Sequence, residues 1–351
     1  KGTFTSANAQ LSEDSFTLAA DTSFAALQSR LFIAAQEIPA CRKRRDAAPG
    51  APVVEIPAGV PLPVRRSEPN VLLLAEPEYR IDGGGWQASE PVLTLDDRLR
   101  ERLGARPRGG EMIQPWLAPR QEPERKLALE LKYEFDCRDT PPEECRLALE
   151  RPELYEAEFN GVPIAPLPDA WWVDRSLRLL ALPRALFVQG RNRITLRTAY
   201  HAGMPGLEYC YLLGEFAVGE NAVLTAPPQT LVRGDWTKQG LPYYSGNLTY
   251  RFDLPDGTAD GTVLELGPWR GTAVLVSVNG GKAAMAAWPP YRTVLTGLTG
   301  RGDRVEVTIL GHRRNSHGPF YLKDKWPVWT GPFEFRKYET GEPQLVPAGL
   351  L

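Results

Sequence analysis

The chain has 351 residues, 42% hydrophobic and 24% charged, with 41 basic side chains against 43 acidic ones. A formal net charge of −2, with no sustained basic face, excludes nucleic acid as a primary partner and a polybasic hold on a membrane. With 32 glycines, 33 prolines and 9% aromatics, the composition is that of a globular protein built from short strands and turns.

The longest apolar runs, residues 31–35 and 71–75, are far short of the roughly 20 residues that cross a bilayer, so no membrane span is expected. The sequence opens on Lys1, and residues 1–20 lack the basic-then-apolar layout of a secretory signal, so the start reads as a cut within a longer chain. Low cysteine use favours a cytoplasmic over a secreted setting, and the compartment itself stays open. Residues 23–38 fit helix or strand equally, and Arg42-Lys43-Arg44-Arg45 reads as a solvated loop. Asn70-Val71-Leu72-Leu73-Leu74 predicts a strand. Residues 79–86 predict another, with a glycine turn at Asp82-Gly83-Gly84-Gly85. Leu95, Leu99 and Leu103, at four-residue spacing, predict one helix, capped by Thr94 and stopped by Gly104.

From residue 118 onward the pattern has period two, the mark of a strand with one buried face. Leu127, Leu129, Leu131, Tyr133 and Phe135 alternate with Ala128, Glu130, Lys132 and Glu134. Tyr155, Ala157 and Phe159 follow the same rule, as do Leu248, Tyr250, Phe252 and Leu254, and Val305, Val307 and Ile309. Cys137 and Cys145 flank a proline loop and could meet across a hairpin as a disulfide, although free thiols are the commoner state. With His201, His312 and His317 as the three histidines and no Cys or His cluster, no transition-metal site is expected.

One layout occurs twice, about 110 to 120 residues apart. After the Leu127 strand come Phe159-Asn160-Gly161, Trp171-Trp172 and Gly190-Arg191-Asn192-Arg193-Ile194. After the Leu248 strand come Val278-Asn279-Gly280, Trp288-Pro289-Pro290-Tyr291 and Gly300-Arg301-Gly302-Asp303-Arg304-Val305. Each copy predicts a strand ending in an Asn-Gly turn, an aromatic anchor, and a glycine-led turn into another core strand. The fold class is therefore all-β: tandem jelly-roll sandwiches at residues 118–225 and 226–351, preceded by an irregular β-rich segment at 1–117 with one short helix.

This order resembles the galactose-binding-like jelly rolls that accompany glycoside hydrolases, including family 2 sugar-binding domains. Pro69-Asn70-Val71-Leu72, Tyr79-Arg80-Ile81-Asp82-Gly83-Gly84, Gln114-Pro115-Trp116, Trp171-Trp172-Val173-Asp174, Tyr211-Leu212-Leu213-Gly214-Glu215-Phe216 and the run from Gly234 to Gly246 look like the C-terminal accessory region of bacterial α-L-rhamnosidase-like enzymes. The resemblance covers residues 68–340. It implies catalytic carboxylates in a barrel N-terminal to the sandwiches, as a partner domain in the parent protein. No catalytic residue is assigned here.

Aromatics are the natural sugar contacts, because a pyranose presents apolar C–H faces while Asn, Asp and Arg bond its hydroxyls. Trp236, Tyr243 and Tyr244 fit that chemistry, although packing at the entry to the second sandwich is the leading explanation for them. Asn279, Trp288 and Tyr291 sit on the second copy's turns. His312 and Asn315 lie in a polar run, 311–318, between a strand and an aromatic stretch containing Trp326, Trp329 and Phe333. That run reads first as a solvated loop or a contact to the catalytic domain. Trp171 and Trp172 are expected to split, one inward and one outward. Glu130, Glu134, Glu156 and Glu158 fall on outward strand faces. Arg301-Gly302-Asp303 and Asn247-Leu248-Thr249 match integrin and glycosylation patterns that the strand layout already explains.

The expected function is non-catalytic carbohydrate binding or scaffolding, with carbohydrate as partner and no cofactor. A structural Ca²⁺ is allowed by the fold class but not asserted. The competing readings are a complete glycosidase with its acids in an interdomain cleft, and a purely structural interaction module.

Overall fold

The computed structural model describes residues 50–107, 125–139, 144–289, 291–322 and 338–351, together with the backbone of two short paired strands, Asn8–Leu11 and Phe16–Ala19. The segments 23–38, 42–45 and 114–116, and Pro290, Trp326, Trp329 and Phe333, lie outside the described residues. The fold is all-β, with strands in several sheets and two helices, Val92–Arg102 and Arg314–His317, among the described residues.

Two sandwiches carry two separate cores. In the first, a seven-stranded sheet is centred on Leu127–Cys137 and Gly190–Tyr200, which pair over their whole length. A five-stranded sheet faces it, in the order Pro166–Trp172, Asp174–Leu182, Cys145–Glu150, Cys210–Gly214, Asn70–Leu74. Leu129, Leu131, Tyr133, Phe135, Phe159 and Ile194 meet Leu147, Leu149, Leu180 and Leu212 between them. In the second, Leu248–Asp253 and Arg304–Leu310 are central to a six-stranded sheet. Opposite it, Val263–Glu265 lies between Arg292–Val294 and Val53–Glu55. Leu248, Tyr250, Val276, Val305, Val307 and Ile309 fill that core with Leu264 and Leu266. Strict alternation makes this work, since successive side chains point to opposite faces and every second residue of Leu127–Cys137 is buried.

The strands of residues 53–81 are shared between the sandwiches. Leu62–Arg66 pairs with Leu248–Asp253 in the second, while Glu78–Ile81 pairs with Leu127–Cys137 in the first. The chain crosses at Ser67, Glu68 and Pro69. The helix begins at Val92 after Pro91, two residues before the expected Thr94 cap, and Gly104 ends it at φ 73°. Leu95 and Leu99 are buried as expected. Asp96 and Arg100 are buried beside them because they bond one another (3.1 Å) and the 200–207 loop. Asp96 accepts from the Tyr200 hydroxyl (2.7 Å) and the Leu207 amide (2.9 Å), and Arg100 donates to the Met204 carbonyl (2.8 Å). Cys137 and Cys145 are buried free thiols in opposite sheets, so they do not meet across a hairpin, and burial pushes the Cys145 thiol up to about 12.

The duplicated layout is the same hydrogen-bonded clasp built twice. Asn160 (φ 48°) and Gly161 (φ 81°) match Asn279 (φ 49°) and Gly280 (φ 70°), the positive-φ pair that an Asn-Gly turn needs. The Asn160 amide donates to Asn192 Oδ1 (2.9 Å) and to the Leu186 carbonyl (2.7 Å), and its oxygen accepts from the Arg193 amide (2.8 Å). The Asn279 amide donates to Asp303 Oδ1 (2.8 Å) and the Gly297 carbonyl (3.4 Å), and its oxygen accepts from the Arg304 amide (2.8 Å). Asn192 is fully buried and Asp303 is 2% exposed. Asp303 also accepts from the Thr299 and Gly300 amides (2.9 and 2.7 Å), so the carboxylate of the integrin-like tripeptide is turned inward while Arg301 and Gly302 stay exposed.

Asn160→Ala and Asn279→Ala are each expected to destabilise by about 2–4 kcal/mol, combining stranded buried partners with a strained positive φ. Urea unfolding checks this, and Asn→Gly at either site should recover the backbone part alone. The amide of Thr299 first, with the Asn279 side chain next, holds the Asp303 carboxyl down to about 2. The ordinary value is about 3.9, so its contribution is complete above about pH 5 and is lost as pH falls from about 4 towards 2. The stability gap between the native chain and Asp303→Asn should close over that acid window and be flat above it.

Candidate functional site

The eight candidate residues fall into three places. The first is the joint between the sandwiches. Asp235 caps a short turn by accepting from the Thr237 amide (3.0 Å), and also accepts from the Ala348 amide (3.1 Å). This holds Trp236 in the second core at 1% exposure, edge-on to Tyr244 with ring centres 6.0 Å apart. Tyr244 is equally buried; its hydroxyl donates to the Asn247 carbonyl (2.7 Å) and accepts from the Ser67 amide (3.0 Å). Tyr243 is half-buried against the first core.

The polar run 311–318 belongs to the same joint and is not a solvated loop. Asn315, 1% exposed, donates to the Val346 carbonyl (2.8 Å) and accepts from its amide (2.9 Å). His312 is half-buried and accepts from the Arg314 amide (3.3 Å); burial, then the Arg314 charge, lowers its pKa. Arg313 forms a two-point ion pair with Glu68 (2.6 and 2.7 Å) at the crossing between sandwiches, and its guanidinium lies 5.9 Å from the Trp172 ring centre. His317, which sequence reasoning did not select, completes a three-ring cluster with Trp172 and Tyr211, its ring centre 5.3 Å from each and theirs 5.1 Å apart. Its Nδ1 bonds the Ser316 hydroxyl (2.7 Å), which accepts in turn from Ser245 (2.8 Å). Phe320 and Tyr321 then enter the first core.

The second place is the clasp, where Asn279 is occupied as described. The third is a loop at the edge of the second sandwich. Trp288 is 50% exposed there, and its carbonyl accepts from the Tyr291 amide (3.2 Å). Tyr291 stands edge-on to Trp269 at 5.2 Å. The next residue, Arg292, forks onto Glu265 (2.7 and 3.1 Å) across the strand pair. The structure therefore brings Trp288 and Tyr291 together and adds Trp269, Arg292 and Glu265, whose alternating strand positions carried no distinguishing signal. Trp171 and Trp172 split as expected, at 47% and 7% exposure.

Of the outward carboxylates, Glu130, Glu134 and Glu158 are engaged by arginines. Glu134 accepts from Arg193 (2.9 Å), and bonding from Arg197 holds Glu158 below the usual carboxylate range. The Ser176 amide does the same for Asp174. Among the described residues no three His, Cys, Asp or Glu side chains gather as a metal site, and no helix is long and apolar enough to cross a membrane.

No family model matches the chain, and no curated protein matches it. Among solved structures it is similar to a β-D-mannosidase from Dictyoglomus thermophilum, at 14% identity and TM-score 0.27, over 69% of this chain and 31% of that one. It is similar also to a rhamnosidase from Novosphingobium sp. PP1Y, at 18% identity and TM-score 0.26, over 65% and 21%. A third is a GH2 β-galacturonidase from Eisenbergiella tayi bound to galacturonate, at 12% identity and TM-score 0.23, over 70% and 38%. The chain thus spans between about a fifth and two fifths of these structures' length. With overlaps this partial and scores this low, the reading of function rests on the chain's own side chains.

Burial, with the Arg313 charge next, lowers the His317 pKa to about 4, below the ordinary 6.5 or so. The unfolded chain therefore takes up a proton in a window where the folded one does not, and stability is full above about pH 6.5 and falls as pH drops towards 4. Melting temperature should fall more steeply across that window in the native chain than in His317→Gln. Equal slopes would show that His317 is not the group responsible.

Proposed function

We propose that the chain is a non-catalytic carbohydrate-binding or bracing region of a multidomain glycoside hydrolase-like protein, built from two galactose-binding-like jelly rolls. The observation that carries this reading is the loop on which Trp288 stands 50% exposed, its carbonyl bonded by Tyr291, which packs on Trp269 and precedes the Arg292–Glu265 pair. An exposed indole on a loop whose following strand opens with an Arg–Glu pair supplies the two elements of pyranose recognition, an apolar ring for the C–H face and charged groups for the hydroxyls. Of the candidate aromatics, Trp236 and Tyr244 support bracing, because both faces of each ring are packed inside the second core.

The competing reading of a complete glycosidase needs two acids roughly 5–10 Å apart, one with a raised pKa. Glu158, Asp174 and Asp303 are instead held low by their donors, so none of these three has the raised pKa of a general acid. Calorimetric titration with rhamnose, galactose, glucuronate and plant-type oligosaccharides tests the proposal. Saturable binding weakened about tenfold or more by Trp288→Ala, with an unchanged melting temperature, is expected. Hydrolysis of an aryl-glycoside that one Asp or Glu substitution abolishes would overturn it. Silence across the panel would leave bracing as the function.

A further inference from the structure

The outward face of the first sandwich's seven-stranded sheet is a charge lattice laid out by strand register. Glu156, Arg197, Glu130 and Arg80 are successive cross-strand neighbours in one row, and Glu158, Thr195, Lys132 and Glu78 in the next. Arg80 forks onto Glu130 (2.7 and 3.0 Å), and Arg197 onto Glu158 (2.6 and 3.1 Å) while also reaching Glu130 (3.3 Å). Lys132 pairs with Glu78. Every cation named here has a carboxylate partner.

One aromatic sits on this lattice. After the Glu78–Ile81 strand the chain turns through Asp82, whose carboxylate accepts from the Ala128 amide (2.9 Å), and a bridge between Tyr79 and Gln87 folds it back. Trp86 is thereby laid over its own sheet. Arg80 Cζ lies 4.9 Å and Lys132 Nζ 4.6 Å from the indole centre, and the residue keeps 39% of its surface in solvent. Both cations rise from the sheet and hold the ring over it, and the exposed part of the indole is open to solvent.

A rigid, half-exposed indole at the edge of a flat field of carboxylates and guanidinium groups has the parts of a pyranose platform. The pairing sets the charge of the ligand. An anionic sugar would have to displace Glu130 or Glu78 from its cation, whereas the hydroxyls of a neutral sugar can share the free lone pairs and N–H groups of intact pairs. We propose that Trp86 is the centre of a second carbohydrate surface, on the first sandwich and independent of the Trp288 loop. It takes a neutral pyranose of an oligosaccharide that lies across the outer sheet, with Arg80, Glu130 and Arg197 bonding the neighbouring hydroxyls.

The full chain is titrated with cellohexaose, xylohexaose and galactohexaose, and with trigalacturonate as the acidic counterpart, by calorimetry and tryptophan fluorescence. At least one neutral hexaose is expected to bind saturably, to keep that binding in Trp288→Ala, and to lose about tenfold or more in Trp86→Ala. Trp86→Tyr, which keeps a stacking ring, should retain part of it and guards against a loss caused by misfolding. Binding indifferent to Trp86→Ala, preference for trigalacturonate, or silence of all neutral hexaoses at about 10 mM would each overturn the proposal. Loss in Trp288→Ala alone would also overturn it, while leaving the Trp288 loop as a binding site.

Discussion

An asparagine at positive φ, gripping a buried polar side chain that opens the next core strand, is the constraint on which both sandwiches depend. A two-residue Asn-Gly turn reverses the chain, but a turn alone sets no distance to a residue 24 or 32 positions further on. The side-chain amide does so. By binding Asn192 or Asp303 and the amide of the following arginine, it ties the end of one strand to the start of its neighbour. That fixes the register from which Phe159 pairs with Ile194, and Val278 with Val305. A one-residue slip would turn every buried leucine and valine of these strands outward. The two copies satisfy the same geometry with different chemistry. Asn192 balances donors and acceptors, while Asp303 gathers N–H groups around a charge.

The sandwiches are joined by more than a linker. The chain passes between them at Ser67–Pro69, at Asp235–Asn247 and at Arg313–Tyr321, and each passage bonds to another: Ser67 to Tyr244, Ser245 to Ser316, Arg313 to Glu68. His317 packed against Trp172 and Tyr211, and Phe320 and Tyr321 inside the first core, bury aromatic surface across the join. Residues whose composition suits sugar contact are thus used as mortar. The same amphipathic chemistry serves either role, and exposure separates them.

Period-two alternation exposed Leu127–Cys137, Leu248–Asp253 and Arg304–Leu310 to sequence reading because each has one wet face and one dry face. The Asn-Gly, aromatic, Gly-led order exposed the duplication for the same local reason. What stayed hidden is non-local. Nothing near Leu62–Arg66 says that it completes the second sandwich, whereas Glu78–Ile81, a few residues on, completes the first. The run 311–318 looks solvated because its polar side chains are legible and their partners, Val346, Glu68 and Ser245, are far away in sequence. Trp86 reads as the end of a glycine turn; the fold-back over Arg80 and Lys132 gives it a platform's geometry. Trp288 was found because proline neighbours keep it on a loop.

Under the proposed function, Trp172 and Trp236 are buried mortar and Trp86 and Trp288 are exposed platforms. The most direct measurement is the set of indole N–H resonances of the ¹⁵N-labelled chain during titration with a neutral oligosaccharide. The account predicts saturable shifts at the indoles of Trp86 and Trp288, with Trp172 and Trp236 unmoved. Shifts confined to the buried pair, or no indole shift at saturating sugar, would contradict it.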